Sequence, residues 1–129
     1  MAYGTLALDT LQSSTTGVPT QFQDGSGTQI GTLCRAWVNF NGVTTATIRA
    51  SFNVSSVVRN GAGDYTINFT NALADANYDF ALSTSGSDSN RRITCSESTV
   101  PTPSAIRVVV GYNTSTLVDA TFNSVAIFR

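Results

Sequence analysis

The side chains from which catalysis or metal binding could be built are eight carboxylates, two thiols and many hydroxyls, because the 129-residue chain contains no histidine and no lysine. A Ser-His-Asp or Cys-His nucleophile and a histidine-containing metal triad are therefore excluded. So are a Schiff-base lysine, a Walker lysine and a Ser-Lys dyad. Glycoside hydrolysis remains chemically open, since it needs only two converging carboxylates. The candidates are Asp9, Asp24, Asp64, Asp75, Asp79, Asp88, Glu97 and Asp119, mostly at turn signals, where Asp is common for its local hydrogen bonds. Asp24 with Ser26, and Asp88 with Asn90, could offer oxygen ligands to calcium, but no EF-hand spacing accompanies them and plain turns are the commoner outcome. Cys34 and Cys95 make neither a disulfide framework nor a zinc site. They read as two small buried hydrophobes or as one mutual disulfide. No glycine-rich phosphate cradle occurs; Gly61-Ala62-Gly63 is a short turn. The expectation is a non-enzyme with no cofactor and no metal.

The remaining charge points the same way. Charged residues are 12% of the chain, about half the usual share, and all seven cations are Arg. With a net charge of -1 there is no basic field for nucleic acid. Arginine suits bidentate pairing at protein interfaces. No apolar run reaches the roughly 20 residues of a membrane helix, and no basic n-region precedes an apolar stretch, so neither a membrane nor a secretion signal is expected. Asn53, Asn68 and Asn113 each stand in an N-x-[ST] sequence, which this Asn- and Thr-rich composition produces by chance.

The elements that would position any site are strands. From Leu33 onward the period is two. Cys34, Ala36, Val38 and Phe40 share one face, and Arg35, Trp37 and Asn39 the other. Asn41-Gly42 reads as a hairpin turn. Ala46, Ile48 and Ala50 follow, then Phe52 and Val54 continuing into Val57 and Val58. After the Asn60–Asp64 turn come the stripes Tyr65-Ile67-Phe69, Tyr78-Phe80-Leu82, Ile93-Cys95 and Ile106-Val108-Val110-Tyr112. Asn71 to Asn77 has room for one helical turn. Leu117 to Phe128 carries a last strand, bent near Asn123-Ser124 where the apolar phase shifts. About eight short strands without a long helix indicate an all-β, antiparallel sandwich of jelly-roll or Greek-key type over residues 32–129. Residues 1–31 are polar, with Leu6 and Leu8 on one face of a weakly alternating start. They read as an extended N-terminal arm that orders on a partner, or as a free tail.

Trp37 stands on the polar face of its strand beside Arg35, and Val109 is similarly placed in a later strand. Either these strands are buried on both sides or locally bulged, or the residues fill contacts between subunits, where Trp and Arg are enriched. The candidate assembly residues are thus Tyr3, Leu6, Leu8, Leu11 and Phe22 in the arm, with Arg35 and Trp37 in the sandwich.

The stretches Arg35-Ala36-Trp37-Val38-Asn39-Phe40-Asn41-Gly42, Ile48-Arg49-Ala50-Ser51-Phe52-Asn53-Val54-Ser55-Ser56-Val57 and Asn60-Gly61-Ala62-Gly63-Asp64-Tyr65-Thr66-Ile67-Asn68-Phe69-Thr70 resemble small virion structural and tail-fibre-type proteins of tailed bacteriophages, notably those infecting cyanobacteria. The resemblance covers the middle third firmly and brings no catalytic residue. It implies a homotrimeric, protease-resistant β-assembly without cofactor, located in the virion. The function expected is capsid decoration, cementing the head through the arm, with the major capsid protein or tail and baseplate proteins as partners. The alternative is a tail-fibre or receptor-binding protein whose 86–90 and 98–104 loops contact host surface glycans. Few aromatics outside the core stripes argue against that alternative.

Overall fold

The computed structural model describes residues 4, 7–12, 14, 21–85, 90–112 and 116–129. The chain divides into two compact units, Met1–Leu33 and Cys34–Arg129. In the first, β1 (Phe22–Gln23) and β2 (Gln29–Gly31) pair antiparallel. Asp24 closes their turn. Its Oδ1 accepts from the Ser26 hydroxyl at 2.6 Å and from the Thr28 and Ser26 amides at 2.9 Å, which hold the carboxyl below its usual range. Gly27, at φ 84°, supplies the left-handed step. The Asp24-Ser26 pair is therefore a turn. Sequence alternation did not signal this hairpin because it has no buried face: its strand residues are exposed except half-buried Gly31.

The second unit holds β3 (Cys34–Asn41), β4 (Thr47–Phe52), β5 (Val54–Gly61), β6 (Asp64–Phe69), β7 (Asp79–Thr84), β8 (Arg91–Cys95), β9 (Ala105–Tyr112), β10 (Thr116–Leu117) and β11 (Asn123–Phe128). No helix occurs among the described residues, so the 71–77 connection is not helical. One sheet runs β4-β3-β11-β7 and the other contains β5, β6, β9, β10 and β8. All pairings are antiparallel. Val108 and Val109 pair with β6 on one edge of β9 and with β8 on the other. Non-consecutive strands thus neighbour one another, as in Greek-key connections.

The alternation read from sequence fills the space between the sheets. Ala36, Val38, Phe40, Val125 and Ile127 of one sheet meet Tyr65, Ile67, Phe69, Ile106, Val108 and Val110 of the other in a single buried cluster. Phe40 and Tyr65 touch edge to face at 5.1 Å between centroids. The all-β antiparallel sandwich is the observed architecture.

Three connections depart from the sequence expectation. Asn41-Gly42 is not a two-residue hairpin turn: residues 42–46 join β3 to β4, and the left-handed residue is Thr44, at φ 60°. Gly42 serves packing instead, since a Cβ there would lie 2.2 Å from the Tyr65 hydroxyl. Phe52 and Val54 do not form one strand, because Asn53, at φ 54°, carries the chain from one sheet to the other. Its Nδ2 donates to the Arg35 and Asn71 carbonyls at 3.1 Å, and its Oδ1 accepts from the Asn71 amide at 2.8 Å. Finally, β10 and β11 are separate strands in different sheets, which is why the apolar phase shifts before Asn123. Buried Asn123 anchors the crossing by donating to the Ala120 carbonyl at 2.9 Å and accepting from the Thr84 hydroxyl at 2.8 Å.

Asn53→Gly retains the left-handed backbone but removes all three side-chain bonds. Urea unfolding should show a loss of about 2–3 kcal/mol, from roughly 1 kcal/mol per net bond. The same bonds occupy the Asn53 Nδ2, and Asn68 Nδ2 donates to Ser56 at 3.0 Å. A glycan at either nitrogen would displace these fold contacts.

Candidate functional site

The outer face of the β4-β3-β11-β7 sheet is built by register. Residues directly opposite across antiparallel strands point the same way, and Phe52 faces Trp37, which faces Ala126, which faces Ala81. The adjacent row is Ala50, Asn39, Ser124 and Ser83. Two aromatic rings on one side therefore adjoin small and hydroxyl-bearing side chains on the other. Trp37 is 39% exposed and Phe52 56% exposed. Trp37 therefore stays on the solvent side of its strand while Ala36 and Val38 are fully buried.

Arg49, an exposed charge beside this face, is engaged by the fold. Arg49 sits opposite the shift in register between Asn39 and Phe40. Its guanidinium bonds to the Asn39 side chain at 3.3 Å and the Thr121 carbonyl at 2.7 Å, and covers the Phe122 ring at 4.2 Å. The same shift explains why Ala50, expected inside with Ala46 and Ile48, is exposed: one extra residue moves it to the outer face. Two exposed rings beside an arginine that bonds to Asn39 suit contact with another protein, where aromatic residues and Arg are enriched.

Of the assembly residues expected from sequence, Trp37 lies in this face. Arg35 occupies the irregular register between the Ala36–Ile127 and Cys34–Phe128 pairs and contributes its carbonyl to Asn53. Leu8, Leu11 and Phe22 are exposed residues of the first unit, while Tyr3 and Leu6 lie outside the described residues. Sequence reasoning missed Phe52, Ala50, Ala81 and Ala126. Asn53 was the available signal for Phe52, because Asn tolerates the left-handed conformation that breaks a strand.

Three of the carboxylates, Asp119, Asp64 and Asp75, are held in structural bonds. Asp119 receives Arg59 through Nε and Nη2, the Gly63 amide at 2.8 Å and the Tyr65 hydroxyl at 2.7 Å. Burial opposes its ionisation, but these bonds prevail and hold its pKa at about 2. Asp64 takes Arg107 and Asn60, and Asp75 takes Arg129; both are lowered, each chiefly by its arginine. Carboxylates held ionised in this way cannot donate a proton near neutral pH. Among the described residues, no cluster of three or more Cys, Asp or Glu side chains could hold a metal. Cys34 and Cys95 are free thiols in strands of different sheets. Burial raises the Cys95 thiol.

Comparison with protein-family models, with curated proteins and with solved structures found no match.

Proposed function

We propose that this chain is a non-enzymatic structural protein of a tailed-phage virion, acting as a homotrimeric decoration protein that cements the head. The observation that carries the reading is the open outer sheet face on which Trp37 and Phe52 stand side by side. Supporting it are the absence of histidine and lysine from the sequence, the Arg-clamped carboxylates, and the resemblance of the central motifs. In this reading the face joins copies of the chain, and the shell is held by the residues before the sandwich. Many copies, each adding a modest contact, would resist outward pressure by multivalency.

A double variant, Trp37→Ser with Phe52→Ser, tests the reading. Two central aromatic anchors are worth on the order of 2–4 kcal/mol together, so self-association should weaken roughly 30- to 1,000-fold. Light scattering should report a trimer for the parent chain and monomer for the variant, and the variant should bind purified heads more weakly because it keeps the shell-holding residues but loses multivalency. A parent chain that is monomeric at every concentration, or a variant that assembles unchanged, would sink the proposal.

The tail-fibre reading gains one observation. Trp37 and Phe52 are exposed rings, which eases the shortage of free aromatics that weighed against host-glycan contact. Binding to host cells rather than heads would favour it.

A further inference from the structure

A second site lies on the opposite sheet. The register places Arg92, Gly111 and Leu117 in one row across β8, β9 and β10, with Thr94 and Val109 as the next pair. Opposed residues share a face, and the bare Gly111 lets β10 pack close, since a Cβ there would lie 2.6 Å from the Thr116 carbonyl oxygen and 3.3 Å from Leu117 Cδ2; Arg92 and Leu117 flank it. Val109, which sequence placed on the polar side of its strand, lies on the same face. The turn after β8 contributes Glu97, the sole glutamate of the chain. The result is a cleft of about 510 Å3, within the range of small-molecule sites. Tyr112 forms part of its wall, held by a 2.8 Å bond from Arg91 Nη2 to its hydroxyl.

The chemistry of the lining is specific. The charged groups of the lining are one guanidinium, Arg92, and one carboxylate, Glu97. Thr94, Ser96, Ser98 and Thr116 add hydroxyls, while Val109 and Leu117 add apolar surface. Such a set matches a ligand that is flat and apolar on one face and carries adjacent hydroxyls at its rim. We infer that the cleft binds a neutral saccharide of one or two rings. The ring's C–H face rests on Val109 and Leu117, Arg92 donates to its hydroxyls, and Glu97 accepts from them. This site is separate from the Trp37 face and does not depend on the assembly role.

The test titrates the isotope-labelled full chain with D-glucose, D-galactose, N-acetyl-D-glucosamine and cellobiose, with glycine as a zwitterionic comparison, while backbone amide shifts are followed. At least one sugar should give saturable shifts at millimolar concentration, largest at Thr94, Val109, Gly111 and Leu117. Glu97→Gln should weaken binding about tenfold, the scale of one bond to a charged acceptor. Val109→Trp should fill the cleft and abolish the shifts. If that variant misfolds, Arg92→Ala with Glu97→Gln serves in its place. The Trp37→Ser, Phe52→Ser chain should bind sugar normally, which separates this inference from the assembly proposal. A disaccharide that binds more tightly than its monomer marks a glycan chain as the ligand, and equal binding marks a single ring. No saturable shift with any sugar at about 50 mM, tighter binding of glycine, or shifts centred on Trp37 and Phe52 would overturn the inference.

Discussion

Gly63→Ala should destabilise the sandwich by about 2–5 kcal/mol, whereas Gly61→Ala, two residues away, should change it by less than about 0.5 kcal/mol. Gly63 lies at φ 64°, where an L side chain costs about 1–2 kcal/mol. The larger problem is space. A Cβ on Gly63 would lie 2.3 Å from the Val110 carbonyl oxygen and 2.6 Å from the Val118 amide nitrogen. These are backbone atoms, which cannot rotate aside as a side chain would. They also bond to each other and to the glycine: Val110 N donates to Gly63 O at 2.7 Å, and Val118 N to Val110 O at 3.0 Å. Relief of the clash therefore breaks the junction of the β5–β6 turn, β9 and the crossing to β11. Overpacking of this kind costs about 1–3 kcal/mol. A Cβ on Gly61 meets nothing within 4 Å, so it serves as the control within the same turn. Thermal unfolding by circular dichroism should show a fall of roughly 10–30 °C for Gly63→Ala alone. Equal melting temperatures for the two variants would mean that the packing around Gly63 is not what sets its requirement.

The contrast between these glycines marks where sequence reading stops. Alternation located the inward stripes because a buried strand face needs apolar residues at every second position whatever it packs against. Tyr65, Ile67 and Phe69, or Ile106, Val108 and Val110, carry that requirement locally. Composition alone could not tell Gly61 from Gly63, because the difference is set by Val110 and Val118, about fifty residues downstream. The candidate face has the same character. Trp37 was legible as an aromatic on the wrong side of its strand. Its neighbours were not, since Ala81 and Ala126 join it only through the register of β7, β11 and β3. The crossings at Asn53 and before Asn123 were hidden for a related reason. A chain passing from one sheet to the other keeps an apolar residue nearby on each side, so Phe52 and Val54 mimic one strand although they belong to two.

The crossing before Asn123 carries a pairing that depends on charge, that of Asp119 with Arg59, and acid should expose this. Asp119 has a folded pKa of about 2 against an ordinary value of 3.8. A carboxyl depressed on folding adds stability that is complete above the unfolded value and disappears as pH falls through the folded one. The contribution, about 2 kcal/mol from a shift of nearly two pH units, should therefore be present at pH 5 and largely lost by pH 2. Asp64, also lowered through its Arg107 partner, adds loss in the same direction. Asp119→Ala should lower stability by about 3 kcal/mol at pH 7, because it strands the Gly63 amide and the Arg59 guanidinium together. Tyr65 is the partial exception, since its hydroxyl can still donate to the Gly42 carbonyl at 3.1 Å. Asp119→Asn keeps an acceptor in place, so its loss at pH 7 should be nearer 1–2 kcal/mol. The diagnostic is the slope. Urea unfolding at pH 5, 3.5 and 2.5 should show the parent chain losing stability faster than Asp119→Asn, until the two nearly converge at the lowest pH. Parallel losses would assign the acid sensitivity to Asp64 and the remaining carboxylates, and would remove Asp119 as the charge that holds the β5–β6 turn against the crossing to β11.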